Sequence, residues 1–82
     1  MTEENIQLII DSLNELSEDT TVPKNVKIKV QNTLEIIKSH GEISVKVNKA
    51  LHELDEIAND TNMQSYTRTQ IWNVVSLLEK LV

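Results

Sequence analysis

Two histidines, thirteen acidic side chains and six scattered serines are the groups from which an active site in this 82-residue chain would be built. His52-Glu53-Leu54-Asp55-Glu56 opens like the H-E-x-x-H helix, which sets two imidazoles one turn apart for zinc and uses the glutamate as a base. Glu56 stands where the second imidazole is required, so the motif fails. His52 still has Asp55 and Glu56 one turn on as co-ligands for a shared metal; the simpler reading is a solvated histidine beside acids. A di-iron bundle needs a glutamate three residues before each ligating histidine, but Ile37 and Lys49 precede His40 and His52 at that spacing. Paired carboxylates occur at Glu3/Glu4, Glu18/Asp19 and Asp55/Glu56. Acid–base catalysis needs a carboxyl shifted by burial or a close partner, and helix ends and solvated faces account for all three pairs. Ser12, Ser17, Ser39, Ser44, Ser65 and Ser76 lack the glycine-flanked elbow of a hydrolase nucleophile. The expectation is a non-enzyme with no catalytic residue, no metal and no cofactor.

Composition narrows the scaffold that holds these residues. At 9.4 kDa the chain forms one domain, residues 1–82. Zero cysteines remove disulfide frameworks, thiolate chemistry and the common structural zinc sites. One Gly, one Pro and no Phe argue against a sheet-rich fold and a phosphate-cradling loop. The acidic start Met1-Thr2-Glu3-Glu4-Asn5 is unlike a basic signal peptide, and no apolar run approaches the ~20 residues that span a bilayer. A cytoplasmic, membrane-free protein is expected, and the Asn59-Asp60-Thr61 sequon is then without consequence.

Apolar residues recur at three- and four-residue steps along four stretches, the signature of amphipathic helices. The first carries Ile6, Ile9, Ile10, Leu13 and Leu16, with Thr2 as its N-cap and Glu3 and Glu4 in its first turn. Val26, Val30, Leu34 and Ile37, widened by Thr33 and Ile36, mark the second; Pro23 opens its first turn, and His40 and Gly41 close it with the glycine at a left-handed C′ position. Val47, Ala50, Leu51, Leu54, Ile57 and Ala58 make the third. Ile71, Val74, Val75, Leu78, Leu81 and Val82 make the fourth, capped by Asn62 or Ser65. An offset of 41 residues lays Leu13 on Leu54, Glu15 on Glu56, Asp19 on Asp60, Thr20 on Thr61 and Asn32 on Asn73, so the chain reads as two units, about 2–40 and 43–82. Helices of roughly 16 residues on links of about 4–6 residues fold back on their neighbours. The architecture expected is an all-α, four-helix antiparallel bundle of two pseudo-repeated hairpins; the alternative is a stacked pair of HEAT-like repeats.

Charge and misplaced apolar residues carry the functional expectation. Residues 1–19 hold six acids and no base, and residues 24–49 hold six lysines against Glu35 and Glu42. Attraction between the acidic first helix and the basic second favours their pairing. Lys24, Lys27 and Lys29 are candidate phosphate contacts, but single-strand binding also wants stacking platforms, and the only aromatic residues are Tyr66 and Trp72. Leu8, Ile28, Val45 and Trp72 fall off the apolar stripes of their helices and are the candidate interface. Trp72 lies about 100° round the helix from Ile71; it is either a binding hot spot or the one large filler of the core. The core of so short a chain barely outweighs conformational entropy, so dimerisation would add stability. The function expected is protein contact, through an unknown partner or a homodimer, with weak nucleic-acid binding as the alternative.

Two blocks also carry a family resemblance. Leu54-Asp55-Glu56-Ile57-Ala58-Asn59-Asp60, Asn62-Met63 and Thr67-Arg68-Thr69-Gln70-Ile71-Trp72-Asn73-Val74-Val75-Ser76 resemble the hallmark of a small archaeal family, uncharacterised protein family 147. Glu18-Asp19-Thr20, Val22-Pro23 and Asn25-Val26-Lys27 resemble its other recurrent block, with Lys27 where arginine is frequent. The resemblance covers nearly the whole chain and is weakest before Leu13 and across residues 38–49. It implies a compact all-helical domain and an archaeal cytoplasmic setting, and brings no activity, cofactor or catalytic residue.

Overall fold

Each of the four amphipathic stretches forms one helix in the computed structural model: α1 (Thr2–Glu18), α2 (Lys24–Lys38), α3 (Ile43–Ala58) and α4 (Ser65–Glu79). The structure describes residues 2–60 and 62–81, with side chains from Glu4 onward. The expected cap by Thr2, the Glu3 side chain, the Thr20/Thr61 match and Val82 in the last stripe lie outside the described residues.

The stripes meet in a single core. Ile9, Leu13 and Leu16 of α1, Val26 and Val30 of α2, Val47, Ala50 and Leu54 of α3, and Ile71, Val74 and Leu78 of α4 are fully buried. Ile6, Ile10, Ile36, Leu51 and Leu77 pack at its margin. Thr33 is tolerated among these apolar groups because its Oγ1 donates to the Lys29 carbonyl at 2.8 Å. The helices pack in a closed ring, α1 on α2, α2 on α3, α3 on α4 and α4 back on α1, and among the described residues the backbones of the diagonal pairs stay apart. That closure excludes the HEAT-like alternative, in which α1 would stack on α3 and α2 on α4 while the two ends stayed open.

The turns within the two hairpins are built alike. In the first, Asp19 Oδ1 accepts from the Thr21 amide (2.8 Å) and hydroxyl (2.6 Å), and the Asp19 amide donates to the Leu16 carbonyl. In the second, Asp60 Oδ1 accepts from the Asn62 amide at 2.8 Å, and the Asp60 amide donates to the Ile57 carbonyl. Each is an Asx-type turn, in which the carboxylate takes the place of a backbone acceptor. Val22 and Met63 close the core over the turns.

Three helix ends depart from expectation. Pro23 is the N-cap of α2, one residue outside the helix, and its carbonyl accepts from the Lys27 amide. Neither Asn62 nor Ser65 caps α4: Gln64 does, with an extended backbone and a carbonyl that accepts from the Arg68 amide. Gly41 is not the C′ residue of α2. The helix ends at Lys38, Ser39 turns extended while its amide and hydroxyl both donate to the Ile36 carbonyl, and Gly41 follows with φ +136°. A side chain rarely adopts that backbone, which is why glycine stands there.

Candidate protein-contact surface

The side of α2 that flanks its buried stripe carries Asn25, Lys29, Asn32 and Ile36 at steps of four, three and four, which stacks them along one line of the helix. The antiparallel α3 and the turn after it answer the three polar ones in order. Asn25 Nδ2 donates to Asp60 Oδ2 just beyond α3 (2.7 Å), Lys29 Nζ sits 2.6 Å from Glu56 Oε2 and 3.6 Å from Glu53 Oε2, and Asn32 Nδ2 donates to Glu53 Oε1 (3.1 Å). At the far end Lys46 Nζ donates to the Ser39 carbonyl at 2.9 Å. These bonds shift the groups that make them. The Lys29 ammonium beside Glu56 holds that carboxyl below its ordinary value, and Glu56 in turn raises Lys29. Asp60 is lowered by Asn25 and then by the Asn62 amide, and Asp19 by the Thr21 hydroxyl and amide.

This seam revises the electrostatic expectation. Lys29 forms its ion pairs with α3, not with the acidic α1. Of the three candidate phosphate contacts, Lys24 is exposed, Lys27 is half-buried with its charge near Asp19, and Lys29 is held by two carboxylates. His52 lies exposed on the outer side of α3, its Nε2 3.4 Å from Glu56 Oε1. Among the described residues no three acidic or histidine side chains converge as a metal would require.

Where Asn32 and Lys46 leave the seam, α2 and α3 part into an open groove of about 430 Å³. Ile36 and Val45 give it apolar surface; Glu35, Lys46, Lys49 and Glu53 line it with charge. Sequence reasoning missed this groove: the four-three-four spacing of Asn25, Lys29, Asn32 and Ile36 sets them on one line of α2 and does not say that α3 lies beside it.

The four off-stripe residues all reach solvent: Leu8 is 52% exposed, Ile28 49%, Val45 47% and Trp72 46%. Trp72 is therefore not the filler of the core. One such residue stands on each helix, and only Val45 lines the groove. Tyr66, weighed from the sequence only as a stacking platform, is the most exposed of the large hydrophobic side chains among the described residues, with its hydroxyl accepting from Gln70 Nε2 at 2.9 Å. No helix among the described residues is long and apolar enough to cross a membrane.

The model of an uncharacterised protein family, UPF0147, matches residues 1–81. The chain belongs to that family. A UPF0147 protein of Methanocaldococcus jannaschii is 46% identical over 70 residues, which cover 84% of this chain and 75% of that one. Another, from Archaeoglobus fulgidus, is 30% identical over 81 residues, 99% of this chain and 93% of its own. The crystal structure of a UPF0147 protein from Thermoplasma acidophilum matches the bundle with a TM-score of 0.93 at 32% identity, covering 98% of this chain and 95% of that one. The closed four-helix ring is thus shared with a solved UPF0147 protein, and the resemblance seen in the Leu54–Asp60 and Thr67–Ser76 blocks is a family relationship.

Proposed function

We propose that this UPF0147 chain is a non-enzymatic module of the cytoplasm that works by protein contact, self-association included. The observation that supports the reading is Trp72, a large ring left nearly half in solvent on a helix whose aliphatic stripe is buried. Single exposed aliphatics such as Leu8, Ile28 and Val45 are ordinary on a protein surface. Tryptophan is the side chain most enriched where binding energy concentrates, because it brings the largest apolar area with few rotamers to freeze. The nucleic-acid reading is weaker: Glu53 and Glu56 already occupy Lys29, and Lys24 and Lys27 alone make a poor phosphate track.

The test is affinity capture from native lysate, paired with light scattering of the purified chain. Wild type is expected to retain a discrete partner or to form an oligomer, and Trp72→Ala to weaken retention of the partner tenfold or more, about 1.4 kcal/mol. A chain that stays monomeric at ~1 mM and retains nothing above background ends the reading.

A further inference from the structure

Charge is segregated along the chain, and folding does not undo the segregation. Leu8, Asp11, Glu15 and Glu18 follow one another on α1 at steps of three, four and three, and all four are exposed. This is an acidic stripe with one aliphatic knob at its head. Among the described residues none of its three acids forms an ion pair with α2, whose Lys29 faces α3 instead. The groove between α2 and α3 has the complementary make-up. Lys49, and Lys46 with one Nζ hydrogen already given to the Ser39 carbonyl, stand beside the apolar surface of Ile36 and Val45, Glu53 is held by Lys29 and Asn32, and Glu35 is the remaining acid of its lining. The lengths agree: Leu8 to Glu15 and Lys46 to Glu53 are each seven residues of helix, about 10 Å. The two surfaces cannot meet in one molecule, because α1 touches α2 and α4 but not α3.

We propose that the α2–α3 groove receives α1 of a second copy, with Leu8 against Ile36 and Val45 and the acids of the stripe beside Lys46 and Lys49. This rests on the self-association branch of the protein-contact reading and uses a surface apart from Trp72, so Trp72→Ala should leave it intact. The two surfaces differ, so a single contact leaves the groove free on one copy and the α1 stripe free on the other. These two either engage each other, closing a two-fold dimer, or recruit further copies. Attraction between exposed charges is screened by salt, so assembly weakens as ionic strength rises.

Sedimentation velocity of the full chain at about 50 mM and about 500 mM salt tests this, since screening tightens several-fold across that range. Wild type is expected to form a concentration-dependent dimer or larger species at low salt and to return to monomer at high salt. Leu8→Asp spoils only the stripe, and Val45→Asp/Lys49→Glu only the groove; all three positions are exposed, and far-UV circular dichroism checks that both variants stay folded. Each variant alone should be monomeric, while their equal mixture should form a heterodimer and nothing larger, since one native stripe and one native groove remain. A wild type that is monomeric at low salt, or a mixture that stays monomeric, overturns the proposal. A monomeric wild type that retains a foreign protein from lysate overturns it too and leaves the protein-contact reading standing.

Discussion

Asp19 and Asp60 are the residues that turn the chain back within each hairpin, and both do it as carboxylates. Asp19 accepts from Thr21 twice, and Asp60 accepts from the Asn62 amide and, across the helix seam, from Asn25. The bonds favour the ionised form, so both folded-state values lie below those of the unfolded chain. The stability they contribute is complete above the unfolded aspartate value near ~3.9 and is lost as pH falls through the lower folded value. Glu56, lowered by Lys29, behaves in the same sense. Lys29 itself is raised, so its contribution is complete below the unfolded lysine value of about 10.4 and disappears as pH climbs through the higher folded one. Thermal melts from pH 7 downward should therefore hold a constant midpoint to about pH 4 and then drop. Asp60→Ala should melt lower at pH 7, because Asn25 and Asn62 lose their acceptor, and should show a shallower acid drop. Parallel profiles for variant and wild type would mean that Asp60 carries none of the acid sensitivity.

At the scale of the element, the links between helices differ more than the helices do. The α1–α2 and α3–α4 turns are held by aspartates, whereas the α2–α3 link depends on backbone geometry at Gly41. A Cβ added there meets nothing within 4 Å, so any penalty comes from φ and not from a clash. Gly41→Ala is expected to destabilise the fold by about 1–3 kcal/mol, read from urea unfolding at constant m-value. The strain sits where the two hairpins join, and this is also the end of the seam where Lys46 Nζ holds the Ser39 carbonyl. A substitution without effect would show that the loop relaxes to an ordinary backbone and that glycine is not required.

For the whole molecule, the ring is what makes the two hairpins one fold. Every stripe is shared: α2 buries against α1 within its hairpin and against α3 across it, and α4 does the same with α3 and α1. A hairpin alone leaves half of each stripe in water, its helices of 15–17 residues are marginal by themselves, and chains near 40 residues seldom support a core unaided. Fragments 2–40 and 43–82 should each show little helix by circular dichroism, regain it on mixing, and the intact chain should unfold in one cooperative step. A fragment with full helicity would make each hairpin an independent fold and the seam a mere contact between two of them.

Three- and four-residue spacing alone told which residues face inward, because helical periodicity is local and needs no knowledge of neighbours. Leu13, Val30, Leu54 and Ile71 were legible as core for that reason, and Leu8, Ile28 and Val45 as exposed, whereas only the packed structure decided that Trp72 stays out of the core. Periodicity sets how a helix is rotated about its own axis and says nothing of which helix lies on either side. Tertiary packing therefore decided that Lys29 faces Glu53 and Glu56 across α3 and not the acids of α1. It also decided that α4 closes on α1 and that Ile36 and Val45 share a groove. Those are pairings between distant parts of the chain, which only the burial of all four stripes at once can select.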